Sequence, residues 1–201
     1  MLAVLCAVAA FTNAHVVLSF DADGTVGSIR EVVSGRELVA ERAPFVFVRL
    51  KDGTELRPDA LTGAGDSLDF GFGGRGTCRL RVTPFAGGWT FETAAFDVAD
   101  AAWLTFARVQ PRCSLRKGGM SNIVEDDASA VVIRGYTPDL EMNETDWRGI
   151  NERVERSRDT WCAVKAEFGF VGKRCGLSAG PRKDILEMLK GMADARSEER
   201  R

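Results

Sequence analysis

The sequence predicts a mainly β protein, an antiparallel two-sheet β-sandwich with a C-terminal α-helix, and three observations carry that expectation. Turn residues recur roughly every eight to twelve positions between Val16 and Val109. The runs between them alternate in polarity: Leu68, Phe70 and Phe72 occupy every second place, as do Cys78, Leu80 and Val82 with Arg79 and Arg81 between them. Such alternation turns one face of a strand inward and the other to water. A clear helical stripe comes only at the end, in Ile185, Met188, Leu189 and Met192. Hairpin-linked strands cannot bury a face alone, so two sheets are expected to stack.

The elements follow in order. Val16–Phe20 leads into Asp23-Gly24, a dipeptide that tolerates the positive φ of a tight hairpin, and Val26–Val33 runs on to Ser34-Gly35. Phe45–Leu50 turns at Asp52-Gly53 and resumes over Thr54–Arg57, where Pro58 ends pairing because it has no N–H to donate. Gly73, Gly74 and Gly76 separate the next two strands; Gly87-Gly88 then opens a strand carrying Trp89 and Phe91, and another spans Trp103–Val109. Residues 112–127 read as a loop, followed by a short strand over Ser129–Gly135. A charged helix is expected over 144–158, extended chain over 161–170 and 173–178, and a last helix opened by Gly180-Pro181, where proline suits the first turn. That helix exposes its apolar stripe unless another element covers it.

Composition excludes several classes. With 27 basic against 29 acidic residues the formal charge is -2, which offers no basic excess for neutralising phosphates, so nucleic acid is not an expected partner. The one His, His15, borders the first apolar segment, which leaves little room for Ser-His-Asp or Cys-His catalysis or for His-ligated zinc. No cofactor or metal is expected.

Residues 1–14, MLAVLCAVAAFTNA, have the apolar run and the small residues before a cleavage point that mark a signal peptide. The same run also suits a buried first strand. Export predicts a secreted or periplasmic protein with no stable membrane span after cleavage, a domain over 15–180, and a helix with a charged tail over 181–201. Loss of Cys6 from the five cysteines would leave Cys78, Cys113, Cys162 and Cys175, which allow three pairings in an oxidising compartment. None is spaced as a CxxC. Cys78 equally suits a small buried strand residue. Asn143-Glu144-Thr145 fits a glycosylation sequon.

Val16 to Val26, an apolar strand ending in Asp21-Ala-Asp23-Gly-Thr25, resembles the first motif of haloacid-dehalogenase-like phosphotransferases. The resemblance implies Asp21 as nucleophile, Asp23 as acid and base, and Mg²⁺ held between them. It covers about eleven residues, and the crossover helices that parallel neighbours need are missing from the following sequence. The alternative reading makes Asp23-Gly24 a hairpin turn.

A broader resemblance rests on residues 20–38 (FDADGTVGSIREVVSGREL), 44–50 (PFVFVRL) and 87–92 (GGWTFE). These are similar to the N-terminal mutarotase-like β-sandwich of large secreted glycoside-hydrolase-like and polysaccharide-lyase-like proteins. The resemblance implies a leading, non-catalytic accessory module that docks onto or supports a catalytic domain, with that domain missing from this chain. It transfers no catalytic residue. A carbohydrate-binding module is the alternative, and its stacking platforms come from Trp89, Trp103, Trp147 and Trp161; of these Trp103 and Trp147 are the candidate binding residues, whereas Trp89 alternates with Phe91 and belongs to the core. Glu92 with Asp97 could be proposed as a carboxyl pair, the lone Tyr136 as a lyase base and 112–117 as an acidic-sugar clasp, each with an equally good structural explanation.

Overall fold

The computed structural model describes residues 8–63, 65–118, 121–142 and 159–197. The expected charged helix over 144–158, the sequon and Trp147 lie outside the described residues. Among those described, the strands are β1 (Ala9–Thr12), β2 (Val16–Phe20), β3 (Val26–Glu31), β4 (Phe47–Leu50), β5 (Glu55–Leu56), β6 (Ala60–Thr62), β7 (Ser67–Gly71) and β8 (Thr77–Phe85). Then come β9 (Gly88–Phe96), β10 (Ala101–Val109), β11 (Ser114–Gly118), β12 (Ser121–Glu125), β13 (Ser129–Gly135), β14 (Glu141–Met142), β15 (Thr160–Lys165) and β16 (Arg174–Pro181). A helix, α1 (Ile185–Ser197), follows.

These strands form three antiparallel sheets: β1-β2-β3, β14-β15-β10-β4-β5, and β11-β12-β13-β16-β9-β8-β7-β6. The inward residues of all three meet in one core, including Leu18 and Phe20 from the first sheet, Leu104 and Phe106 from the second, and Phe70 and Phe91 from the third. The chain is mainly β and antiparallel with a C-terminal helix, as predicted, in a sandwich-like arrangement that has three sheets around one core where two were expected. Alternation along the strands does the sorting: β8 buries Cys78, Leu80 and Val82 and exposes Arg79 and Arg81 between them. Phe45 sits at the centre, 4.8 Å from Phe91 and 5.0 Å from Phe20, ring centroid to centroid and edge on.

Three segments depart from expectation. Residues 112–127 hold the β11–β12 hairpin instead of a loop, because Ile123 and Val124 continue the sheet by pairing with Val132 and Val131 of β13. Residues 166–168, expected as extended chain, form a short 3-10 turn after β15. Pro181 is the last residue of β16, paired with Ser129, and a 3-10 turn over Arg182–Asp184 precedes α1. Proline therefore ends a strand here instead of opening a helix; the strand's edge position at that residue spares the missing N–H.

The helix stripe is covered. Met188 and Met192 are fully buried against Val132 and Tyr136 on the outward face of β13, with Phe85, Ile123, Ile185 and Leu189 around them. Gly191 makes the fit: a Cβ there would stand 2.2 Å from the Ala86 carbonyl oxygen, so glycine lets the helix approach the β8–β9 turn. Leu186 alone of the helix's large apolar residues is strongly exposed, at 76%.

Residues 8–14 belong to the fold as described. β1 pairs in register with β2, from Ala9 opposite Phe20 to Thr12 opposite Val17, and Phe11 packs on Phe20 and Trp89 at centroid distances of 6.1 and 6.4 Å. Cleavage after Ala14 would take this strand out of the first sheet. Among the described residues no helix is long and apolar enough to cross a membrane.

Candidate functional site

The five-stranded sheet buries one face and presents the other. On β10 and β15 the inward residues are Leu104, Phe106, Cys162 and Val164, so Trp103, Trp161 and Lys165 fall on the opposite side; β4 adds Phe47 and Arg49 beside them. Phe47, Trp103 and Trp161 are all half-buried. Register fixes their spacing: Trp103 is opposite Arg49 on one flank and Lys165 on the other, and Phe47 is opposite Thr105, which in turn faces Ala163. Small residues thus separate the rings.

Each of two rings carries a cation. Lys165 Nζ lies 4.9 Å from the Trp103 ring centroid and the Arg108 guanidinium carbon 5.2 Å from that of Phe47. A positive charge over the negative face of an aromatic ring is electrostatically favourable. The cations are themselves anchored, Lys165 to Glu141 at 2.8 Å and Arg108 to Asp159 at 2.9 Å. The hydrogen bond to Glu141 is the main influence that raises the Lys165 pKa, so its ammonium stays charged above the ordinary lysine range. Arg49 and Glu55 pair at 3.1 Å nearby. The face therefore combines flat apolar surfaces with fixed donors and acceptors at their edges, which is the chemistry that grips a ligand having both C–H faces and hydroxyls.

Asp21 and Asp23 are organised differently. The Asp21 N–H donates to the Thr25 carbonyl at 2.9 Å, the Gly24 N–H donates to Asp21 O at 3.0 Å, and the Thr25 N–H donates to Asp23 Oδ1 at 3.0 Å. The pentapeptide is the tight turn between β2 and β3. Gly24 takes φ +75°, and a Cβ there would meet Phe70 at 2.8 Å. The turn is tied from two sides, by Leu61 N–H to Ala22 O and Phe45 N–H to Gly24 O. The Asp21 carboxylate is largely buried and ion-paired with Arg42, and its oxygens lie 3.0 Å from where a Cβ at Gly27 would stand. Asp21, Ala22, Asp23, Thr25 and Arg42 line an open hollow of about 460 Å³. The strands beside it run antiparallel, whereas the phosphotransferase motif needs its first aspartate at the end of a parallel strand.

The other sequence candidates scatter. Trp89 is in the core at 3% exposure, and Tyr136 is buried between β13 and α1 with its hydroxyl above Gly176, where burial raises its pKa. Glu92 turns to Arg81 and Arg174, at 3.8 and 3.9 Å, while Asp97 accepts from the Thr77 backbone and hydroxyl, so the two carboxylates serve separate contacts. Arg112 donates to the Val39 carbonyl at 2.9 Å and is committed to the fold. Among the described residues, no three His, Cys, Asp or Glu side chains gather as metal ligands. Phe47 and the two cation–ring pairs escaped the sequence reading: alternation from Phe45 would turn Phe47 inward, and the pattern breaks because Phe45 and Val46 are both buried before β4 begins.

No protein-family model matches the chain, and no curated protein matches it.

Proposed function

We propose that the chain is a non-catalytic carbohydrate-binding module that works beside a catalytic partner, holding it on a polysaccharide. The observation that carries this reading is the outward face of the five-stranded sheet, where Phe47 and Trp103 stand with Arg108 and Lys165 over their rings. Pyranose rings offer C–H patches that stack on aromatic faces and equatorial hydroxyls that take hydrogen bonds from Lys165 and Arg49 and give them to Glu141 and Glu55. The likeness of residues 20–38 and 87–92 to mutarotase-like accessory modules agrees with this.

Docking onto a catalytic domain through the helix stripe has less to support it, because Met188 and Met192 are already buried against β13. The module's link to an enzyme is therefore proposed to lie elsewhere than α1.

The test is calorimetry or affinity electrophoresis of the purified chain against a panel of neutral and acidic polysaccharides. One or more should bind, and Trp103→Ala should weaken that binding roughly tenfold or more while Asp21→Asn leaves it unchanged. Equal binding by wild type and Trp103→Ala, or no binding across the panel, overturns the reading.

A further inference from the structure

The strands of the five-stranded sheet carry three cations, Arg49 on β4, Arg108 on β10 and Lys165 on β15. Each is tied to a carboxylate. Arg49 pairs with Glu55 of β5 at 3.1 Å and Lys165 with Glu141 of β14 at 2.8 Å, while the Arg108 Nε lies 2.9 and 3.0 Å from the two oxygens of Asp159. Register sets the outer two pairs in order. Glu55 is opposite Arg49, Arg49 opposite Trp103 and Trp103 opposite Lys165, so one row across four strands reads carboxylate, guanidinium, indole, ammonium. Glu141, opposite Ala163 on the other edge strand, closes that row behind Lys165. Carboxylates thus stand at both edges of the sheet with the cations and the ring between them.

We propose, on the carbohydrate-binding reading above, that this face takes an uncharged polysaccharide in preference to a polyuronate, and that Glu55 and Glu141 set the choice. A uronate brings one carboxylate per sugar. To reach Arg49 or Lys165 it must displace the carboxylate already there, and with Glu55 and Glu141 in place it is repelled. Paired opposite charges also cancel at a distance, and salt screens what remains beyond about 8 Å, so a polyanion gains little attraction during approach. A neutral sugar meets neither penalty. An ammonium has three N–H donors and a carboxylate four lone-pair positions, so hydroxyls find donors and acceptors at these edges with the ion pairs intact. The two edge pairs are within reach of a ligand, their side chains 39–50% exposed, whereas Arg108 and Asp159 are at 19% and belong to the wall of the sheet.

The experiment is calorimetry of the purified full-length chain against soluble β-glucan, galactomannan and glucomannan, each as the neutral polymer and with its primary hydroxyls oxidised to carboxylates, and against polygalacturonate and alginate. At about 0.15 M NaCl the wild type should bind a neutral polymer at least about tenfold more tightly than its oxidised form and than either polyuronate. The double variant Glu55→Gln/Glu141→Gln, with native circular dichroism, leaves Arg49 and Lys165 unneutralised. It should narrow the neutral-to-oxidised ratio by about tenfold or more, and its binding to the oxidised polymer should weaken as salt is raised. Glu55→Gln alone, on an edge strand, should move the ratio in the same direction by a smaller factor. A wild type that binds an oxidised polymer or a polyuronate as tightly as a neutral one overturns the proposal and leaves the carbohydrate-binding reading standing. So does a ratio unchanged in both variants. Absence of binding to every polymer removes the two together.

Discussion

Phe45 and Phe47 stand two places apart on one stretch of chain and meet opposite surroundings. Phe45 is fully buried among Phe20, Phe70 and Phe91, ring against ring. Phe47, on the outward face of β4, is half-buried and faces a guanidinium. Trp89 and Trp103 repeat the contrast, the first inside with Phe11 and the second outside under an ammonium. The difference teaches that aromatic content alone says nothing about binding: inward rings fill volume and specify the core, whereas outward rings held by anchored charges keep a face that a ligand can use.

The largest effect should come from emptying the inner set. Phe45→Ala removes a ring that packs on Phe20, Phe70 and Phe91 from two of the sheets and should cost about 3–5 kcal/mol of unfolding free energy, read from urea or thermal unfolding. A ring at the core's margin should cost less. Phe11→Ala, which strips β1 of its contacts with Phe20 and Trp89, is expected to lose about 1–3 kcal/mol, and deletion of residues 1–14 at least as much. If that deletion leaves stability unchanged, β1 contributes nothing to the mature fold.

Outward rings should separate stability from binding. Trp103→Ala is expected to cost about 1 kcal/mol or less in unfolding while removing most of the sugar affinity. Loss of both in proportion would place Trp103 with Phe45 and erase the contrast. The smallest effect is the pH dependence of the cation. Because Lys165 has a raised folded pKa, its contribution to stability is complete below the ordinary value of 10.5 and disappears as pH climbs through the raised one. Nitrogen NMR of the Lys165 ammonium should therefore titrate above that value, and Glu141→Gln should bring it down.

Much of the fold was legible because period-two alternation is a local property. Leu68/Phe70, Cys78/Leu80/Val82 and Trp89/Phe91 each state which side is inward, and the structure agrees for every one of them. Residues 114–125 were misread because a charged, glycine-containing stretch hides a hairpin whose strands are set by pairing with β13, a partner that local sequence does not name. The site was half legible. Trp103 could be proposed from its residue type, yet what makes it distinctive, Lys165 across the strand and Glu141 beyond it, depends on pairings between residues 62 and 24 places apart in the numbering. The Asp21 motif shows the converse: a familiar pentapeptide whose function in this chain follows from the turn it makes.

The most direct test compares an inner and an outer tryptophan in one experiment, by adding a polysaccharide fragment found by the panel to the nitrogen-15-labelled chain. If the outward face binds the polysaccharide, the Trp103 indole N–H and the amides of β4, β10 and β15 shift with ligand concentration while the Trp89 indole stays in place. Shifts confined to the Asp21–Thr25 turn, or a Trp103 resonance as unmoved as that of Trp89, would contradict it.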